Sequence, residues 1–184
     1  MSTRARHRPM TIAAGLTVVA ALAAGCTSGP AQEIDPSWTA HTLGPVTVHA
    51  PAEWEELAST ADNLTVGLPG DDELVRPGVS VTVLAEPAQD APAEAKSLAT
   101  RERATRGAQD ITITDVDLAG ATAATEVAMW SELPTEGGPS QVRSRWVVAD
   151  LDSGEQVLIG VLGPREEYEA LPLDEVLDTV ELGS

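Results

Sequence analysis

Three short runs within residues 46–84 alternate apolar and polar positions. Val46-Thr47-Val48-His49-Ala50 stops at Pro51, and Leu64-Thr65-Val66-Gly67-Leu68 stops at Pro69-Gly70. Proline cannot continue a hydrogen-bonded ladder, so both runs read as strands with defined ends. A third run, residues 79–84, puts Val79, Val81 and Val83 on one face. The period then changes. Over residues 90–108 Asp90 suits a helix cap, Pro92 a first turn and Gly107 a stop. Ala91, Ala95, Leu98, Thr105 and Ala108 form an apolar stripe interrupted at Glu102, which is spaced to pair with Arg106 on the solvated side. Alternation returns over residues 111–118, 121–131, 142–148 and 157–161. Leu118-Ala119-Gly120-Ala121 and Asp152-Ser153-Gly154 read as turns, and Glu136-Gly137-Gly138-Pro139 as a loop. Trp130 has the opposite parity to Val127 and Met129, which assigns it to the other face of its strand. Pro164 opens a helical stretch over residues 165–171, and Leu173, Val176, Leu177 and Val180 recur at helical spacing. These elements predict an α+β fold, an antiparallel sheet of about seven strands packed by a central helix and a C-terminal helix.

The first residues follow another pattern. Residues 2–10 hold Arg4, Arg6, His7 and Arg8 with no acid, and residues 11–24 are apolar. That run is shorter than the roughly 20 residues a membrane span needs. A basic start, a short apolar run and small residues make residues 1–25 a secretory signal peptide. Leu22, Ala23, Ala24 and Gly25 before Cys26 resemble the lipobox of bacterial lipoproteins, with alanine rather than leucine at the third position before the cysteine. The resemblance implies that Cys26 receives a diacylglyceryl group and becomes the new N-terminus, which anchors the protein at the outer face of the cell membrane. Two acyl chains suffice for such an anchor where one does not. Residues 26–36 are then a lipidated, flexible tether and residues 37–184 a single domain.

Charge sharpens this picture. The chain has 29 acidic and 11 basic residues, a formal charge of −18. Cleavage removes Arg4, Arg6 and Arg8 and no acid, which takes the charge to −21. A nucleic-acid partner is disfavoured, because such binding needs a basic patch to displace counterions. An anionic membrane repels the domain, so the lipid alone holds it there. A single cysteine excludes an internal disulfide and any zinc site built on two cysteines.

Gly44-Pro45-Val46-Thr47-Val48-His49-Ala50-Pro51-Ala52-Glu53-Trp54 resembles the opening of PsbP-like domains, where a strand leads into a Pro-x-x-Trp turn. The middle helix, the Ala-rich strand over residues 121–128 and the closing Leu173-Asp174-Glu175-Val176-Leu177-Asp178-Thr179-Val180 fit the same order. With the lipobox, the arrangement resembles that of actinobacterial LpqN/LpqT-type lipoproteins, over roughly residues 37–182. What the resemblance implies is a non-enzymatic protein of cell-envelope biogenesis, in contact with an envelope protein or lipid. It brings no catalytic residues and no cofactor.

The residues themselves offer few constellations. A metal site would need His41, His49 and a carboxylate such as Glu53, and their spacing is not that of a metal motif. Acids cluster at Glu53-Trp54-Glu55-Glu56, Asp71-Asp72-Glu73 and Glu166-Glu167-Tyr168-Glu169, which reads as a solvated surface. No Gly-x-Ser-x-Gly nucleophile motif is present. Trp38, Trp54, Trp130 and Trp146 are the large side chains; core packing is the default role, and Trp54 and Trp130 are the candidates for ligand binding. The leading expectation is therefore a lipid-anchored envelope binding or assembly protein that is not an enzyme. One alternative is a carrier of an apolar ligand such as an envelope lipid, held in a groove between sheet and helices. Another is an envelope hydrolase using Asp115 and Asp117, which share a face if their strand is regular.

Overall fold

The computed structural model describes residues 34–70, 75–135 and 138–183. The signal peptide, the lipobox Leu22 to Gly25, Cys26, the first part of the tether and the Asp71-Asp72-Glu73 cluster lie outside the described residues. Ten strands and two helices follow in the order β1 (Thr39–Leu43), β2 (Val46–Ala50), β3 (Glu55–Ser59), β4 (Asn63–Gly67), β5 (Gly78–Leu84), α1 (Ala91–Arg106), β6 (Gln109–Asp115), β7 (Ala121–Thr135), β8 (Gly138–Leu151), β9 (Gln156–Pro164), α2 (Leu173–Asp178) and β10 (Glu181–Leu182).

They form two antiparallel sheets. The larger has seven strands in the order β3-β4-β5-β9-β8-β7-β6, and the smaller has three in the order β1-β2-β10. The α+β class and the count of seven agree with the sequence pattern, but the membership differs. Residues 46–50 leave the large sheet for the small one, and β3 takes the seventh place. The Pro51 turn explains the switch. The carbonyl of Pro51 accepts from the Trp54 N–H (2.9 Å), and the chain leaves this turn in a new sheet. β1, β3 and β10 have no alternating apolar pattern and become strands by pairing.

Each face of the large sheet is covered differently. On one, α1 lays Ala91, Ala95, Leu98 and Ala99 onto Val127, Met129, Val148 and Leu158. Alanines let the helix approach closely. Trp146 fills the space beside it and lies across Gly160, where a Cβ would stand 2.2 Å from the indole. On the other face the small sheet brings Val46, Val48 and Ala50, and α2 brings Leu173, Val176 and Leu177, onto Val66, Val81, Val147, Ile159 and Val161.

The caps of α1 are those its sequence specifies. Asp90 Oδ1 accepts from the Ala93 N–H (3.0 Å), and Gly107 ends the helix in the left-handed conformation at φ 61°. A second carboxylate anchors the same end to the sheet. Asp150 accepts from the Ala91 N–H (2.9 Å) and from buried Gln156 Nε2 (2.7 Å). Two expectations for this helix need correction: Thr105 is exposed, and Glu102 is 9 % exposed within the buried stripe, its carboxylate turned to Arg106 at 3.0 Å. Residues 165–171 form turns and one turn of 3-10 helix (Tyr168–Ala170) rather than a helix, and α2 is shorter than the apolar spacing suggests. The turns at Gly120 and Gly154 occur as expected, at φ 89° and 87°.

Candidate functional site

The small sheet and α2 do not cover the whole of their face. β7 and β8 run long, with parity placing Glu126, Ala128 and Trp130 of β7 and Arg143, Arg145 and Val147 of β8 on the side away from α1. Val147 is under the core cover, while Trp130 and its cross-strand partner Arg143 lie further out and stay partly exposed. Polar side chains and one indole finish this part of the sheet.

They form a connected network. Arg165 stacks over the Trp130 ring at 4.7 Å, and Arg143 lies 5.5 Å from the same ring and 4.5 Å from that of Tyr168. Arg143 also pairs with Glu169. Arg145 donates to Glu126 (2.7 Å) and to Asp174 (2.9 Å), and the Tyr168 hydroxyl donates to the same Asp174 oxygen (2.7 Å). Gly163 makes room for this corner, since a Cβ there would meet Leu173 at 2.6 Å. Arg165 donates to Gln141 Oε1 (2.8 Å) and has no carboxylate partner among the described residues. Three of the eight basic residues left after the expected cleavage thus gather around Trp130 and Tyr168 on a strongly acidic chain.

The charges perturb one another. Burial disfavours the Asp174 carboxylate, but hydrogen bonds from Tyr168 and Arg145 outweigh it and hold its pKa below the usual value. Burial, reinforced by the bond to Asp174, pushes the Tyr168 hydroxyl well up. Burial also raises Asp178, and Arg145 only partly offsets it. Burial opposes the Arg145 charge, yet Glu126 and Asp174 prevail and keep it firmly protonated.

Two concavities meet at Arg165 and Gln141. One holds Ser140, Glu166 and Glu167; the other holds Gln109, Asp110, Trp130 and Glu132. Asp110 adopts φ 49°, in the left-handed region, at a break in register between β6 and β7. Such bulges re-aim side chains beside functional sites. A third concavity reaches between the sheet and α2, but its lining includes Glu126, Arg145, Asp117 and Asp178. The other half of its lining is apolar, with Val116, Leu118, Val147 and Leu177. The surface as a whole suits a polar ligand recognised by planar groups, namely an indole, guanidinium groups, amides and carboxylates.

The residues singled out in the sequence fall in different places. Trp130 faces the side its parity assigned and is the centre of this rim. Trp54 is 4 % exposed in the core, so its candidature as a ligand residue is withdrawn in favour of packing. His41 and His49 do not converge: the register pairs His41 with Val48 and Ala40 with His49, on opposite faces of the small sheet. His41 sits 3.8 Å from Glu56. Asp115 accepts from Thr125 Oγ1 (3.2 Å), and Asp117 lies beyond the end of β6, so regular strand parity no longer ties the two together. The sequence already carried the parity of Arg143 and Arg145. What it lacked was their register against Trp130 and the loop that brings Arg165 over the ring.

No family model matches the chain, and no curated protein matches it. Solved structures do. LpqN of Mycobacterium tuberculosis, described as involved in cell envelope biogenesis, is similar with a TM-score of 0.55 and 13 % identity, over 76 % of this chain and 83 % of that one. The Ran-binding protein Mog1p of Saccharomyces cerevisiae is similar with a TM-score of 0.52 and 14 % identity, over 79 % of this chain and 95 % of that one. At these identities the likeness is one of fold: the chain has an α+β fold of the kind seen in Mog1p and LpqN.

Proposed function

We propose that this protein is a lipid-anchored, extracytoplasmic binding or assembly protein of the bacterial cell envelope that catalyses no reaction, and that it engages its partner at the Trp130 rim. The observation that carries the binding site is Arg165 stacked on Trp130 with no carboxylate partner among the described residues, on the part of the sheet that helices leave open. The signal peptide and the lipobox ending at Cys26 support the anchor. The fold shared with LpqN and Mog1p is compatible with a binding role, since one is described by envelope biogenesis and the other by Ran binding. Shared fold alone does not define function, so the site carries the argument.

The test places a photo-crosslinking residue at Gln141 in the bacterial host and fractionates the cells after irradiation. The wild-type chain is expected in the membrane fraction with a discrete adduct. Cys26→Ser is expected to move it to the soluble fraction, and Arg165→Glu to abolish the adduct. Retention of Cys26→Ser in the membrane defeats the anchor, and an adduct indifferent to Arg165→Glu defeats the site.

A further inference from the structure

The two edges of the seven-stranded sheet are not alike. β3 carries Glu55 and Glu56 within the strand and a register break between Glu56 and Ala58, the usual means of keeping an edge from pairing. β6 is different. Its register break lies at its beginning, between Gln109 and Thr112, and leaves residues 112–115 regular. The run Ile111-Thr112-Ile113-Thr114 is uncharged and β-branched, and the strand is exposed along nearly its whole length. Ile113, at 41 %, is the exposed large hydrophobic among the described residues.

The hydrogen-bond phase of this edge follows from one bond. Val116 N–H donates to the Ala124 carbonyl (3.0 Å), so Val116 faces β7 with its backbone groups. In an antiparallel ladder this alternates, and Thr114 and Thr112 also face β7. Ile113 and Asp115 therefore turn their N–H and C=O groups away from the sheet, where no strand of the described residues meets them. Asp110 and Asp115 bracket the apolar run, and Asp117 follows. The nearest basic residue in sequence, Arg106, is held by Glu102.

We infer that β6 accepts an extended segment of a partner protein as an eighth strand, and that this segment is basic at the ends that meet Asp110 and Asp115. Charge decides the occupant. A second copy would bring its own Asp110, Asp115 and Asp117 and a net charge of −18 or more against the same acids, whereas a cationic strand is attracted to them. The added strand would share Asp110 with the Trp130 rim, but its backbone pairing lies at the outer edge of the sheet, which that rim does not use.

The probe is the acetylated hexapeptide amide Lys-Val-Thr-Val-Thr-Lys, titrated into the full-length chain in detergent and followed by residue-resolved amide hydrogen exchange. Binding is expected to protect the Ile113 and Asp115 amides and to leave the already paired Thr112 and Thr114 amides unchanged. Affinity is expected to fall at least about tenfold when glutamate replaces both lysines, and similarly between about 0.05 M and about 0.5 M NaCl. A peptide N-methylated at its first and third residues should not bind. Ile113→Pro removes an outward donor without taking a bond from β7, and Ile113→Lys keeps the backbone but adds a repelling charge; both are expected to abolish binding. The proposal is overturned if the peptide leaves the two outward amides unprotected, or if Glu-ended and Lys-ended peptides bind alike. It is equally overturned if the free protein is a dimer with those amides already protected.

Discussion

Asp174 illustrates how much a single carboxylate organises here. It receives the Tyr168 hydroxyl and the Arg145 guanidinium, and those bonds hold it ionised despite its burial. Its folded pKa lies below the unfolded value, so its contribution is present above the unfolded value and is lost as pH falls through the folded one. Asp178 has the opposite sign: burial raises it, and its contribution is present at low pH and lost as pH rises through its folded pKa. Urea unfolding between about pH 3 and about pH 7 is expected to separate the two. Asp174→Asn should lower stability at neutral pH and flatten the acid loss, while Asp178→Asn should be at least as stable as wild type at neutral pH. At this scale the sequence was partly legible. Parity placed Trp130 on the face opposite Val127 and Met129, because alternation is local. Core packing, the default role for Trp54, is what the structure shows, while its candidature for ligand binding fails because the turn at Pro51 carries it inside.

Among elements, α1 was legible to its ends, because Asp90, Pro92 and Gly107 act on their own backbone neighbourhood. The anchor at Asp150 was not, because it comes from β8, far along the chain. The two carboxylates therefore make a useful comparison. Asp90→Ala is expected to cost about 1 kcal/mol, the worth of an exposed cap. Asp150→Ala should cost more, since it removes acceptors from both the Ala91 N–H and buried Gln156 Nε2, which keeps only the Gln89 carbonyl (3.0 Å). Chemical denaturation of both variants checks the order, and an Asp150→Ala variant no worse than Asp90→Ala would show that the Gln89 carbonyl alone satisfies Gln156. β1, β3 and β10 were illegible for the complementary reason. Thr39 to Leu43 and Glu55 to Ser59 show no alternation, and their pairing is decided by neighbours elsewhere in the chain.

For the whole molecule, acids outnumber bases almost threefold, and most ion pairs involve partly exposed groups. Self-repulsion then dominates the long-range electrostatics. Raising NaCl from about 0.01 M to about 0.3 M is expected to raise Tm by a few degrees as repulsion is screened. A fall in Tm would mean that the ion pairs outweigh the excess charge. The overall class was legible from strand and helix periods, whereas the division into two sheets was not, because it is a decision about contacts between distant segments. One of those contacts has a bearing on timing. The hydroxyl of Thr179 accepts from the His49 N–H across 130 residues, and beside it β10 closes onto β2. The small sheet cannot be finished until the last of these residues is available, and closing so long a loop is slow. For the export proposed above, that delay would be an asset: the first strands stay unsealed, and so threadable, until β10 has been made.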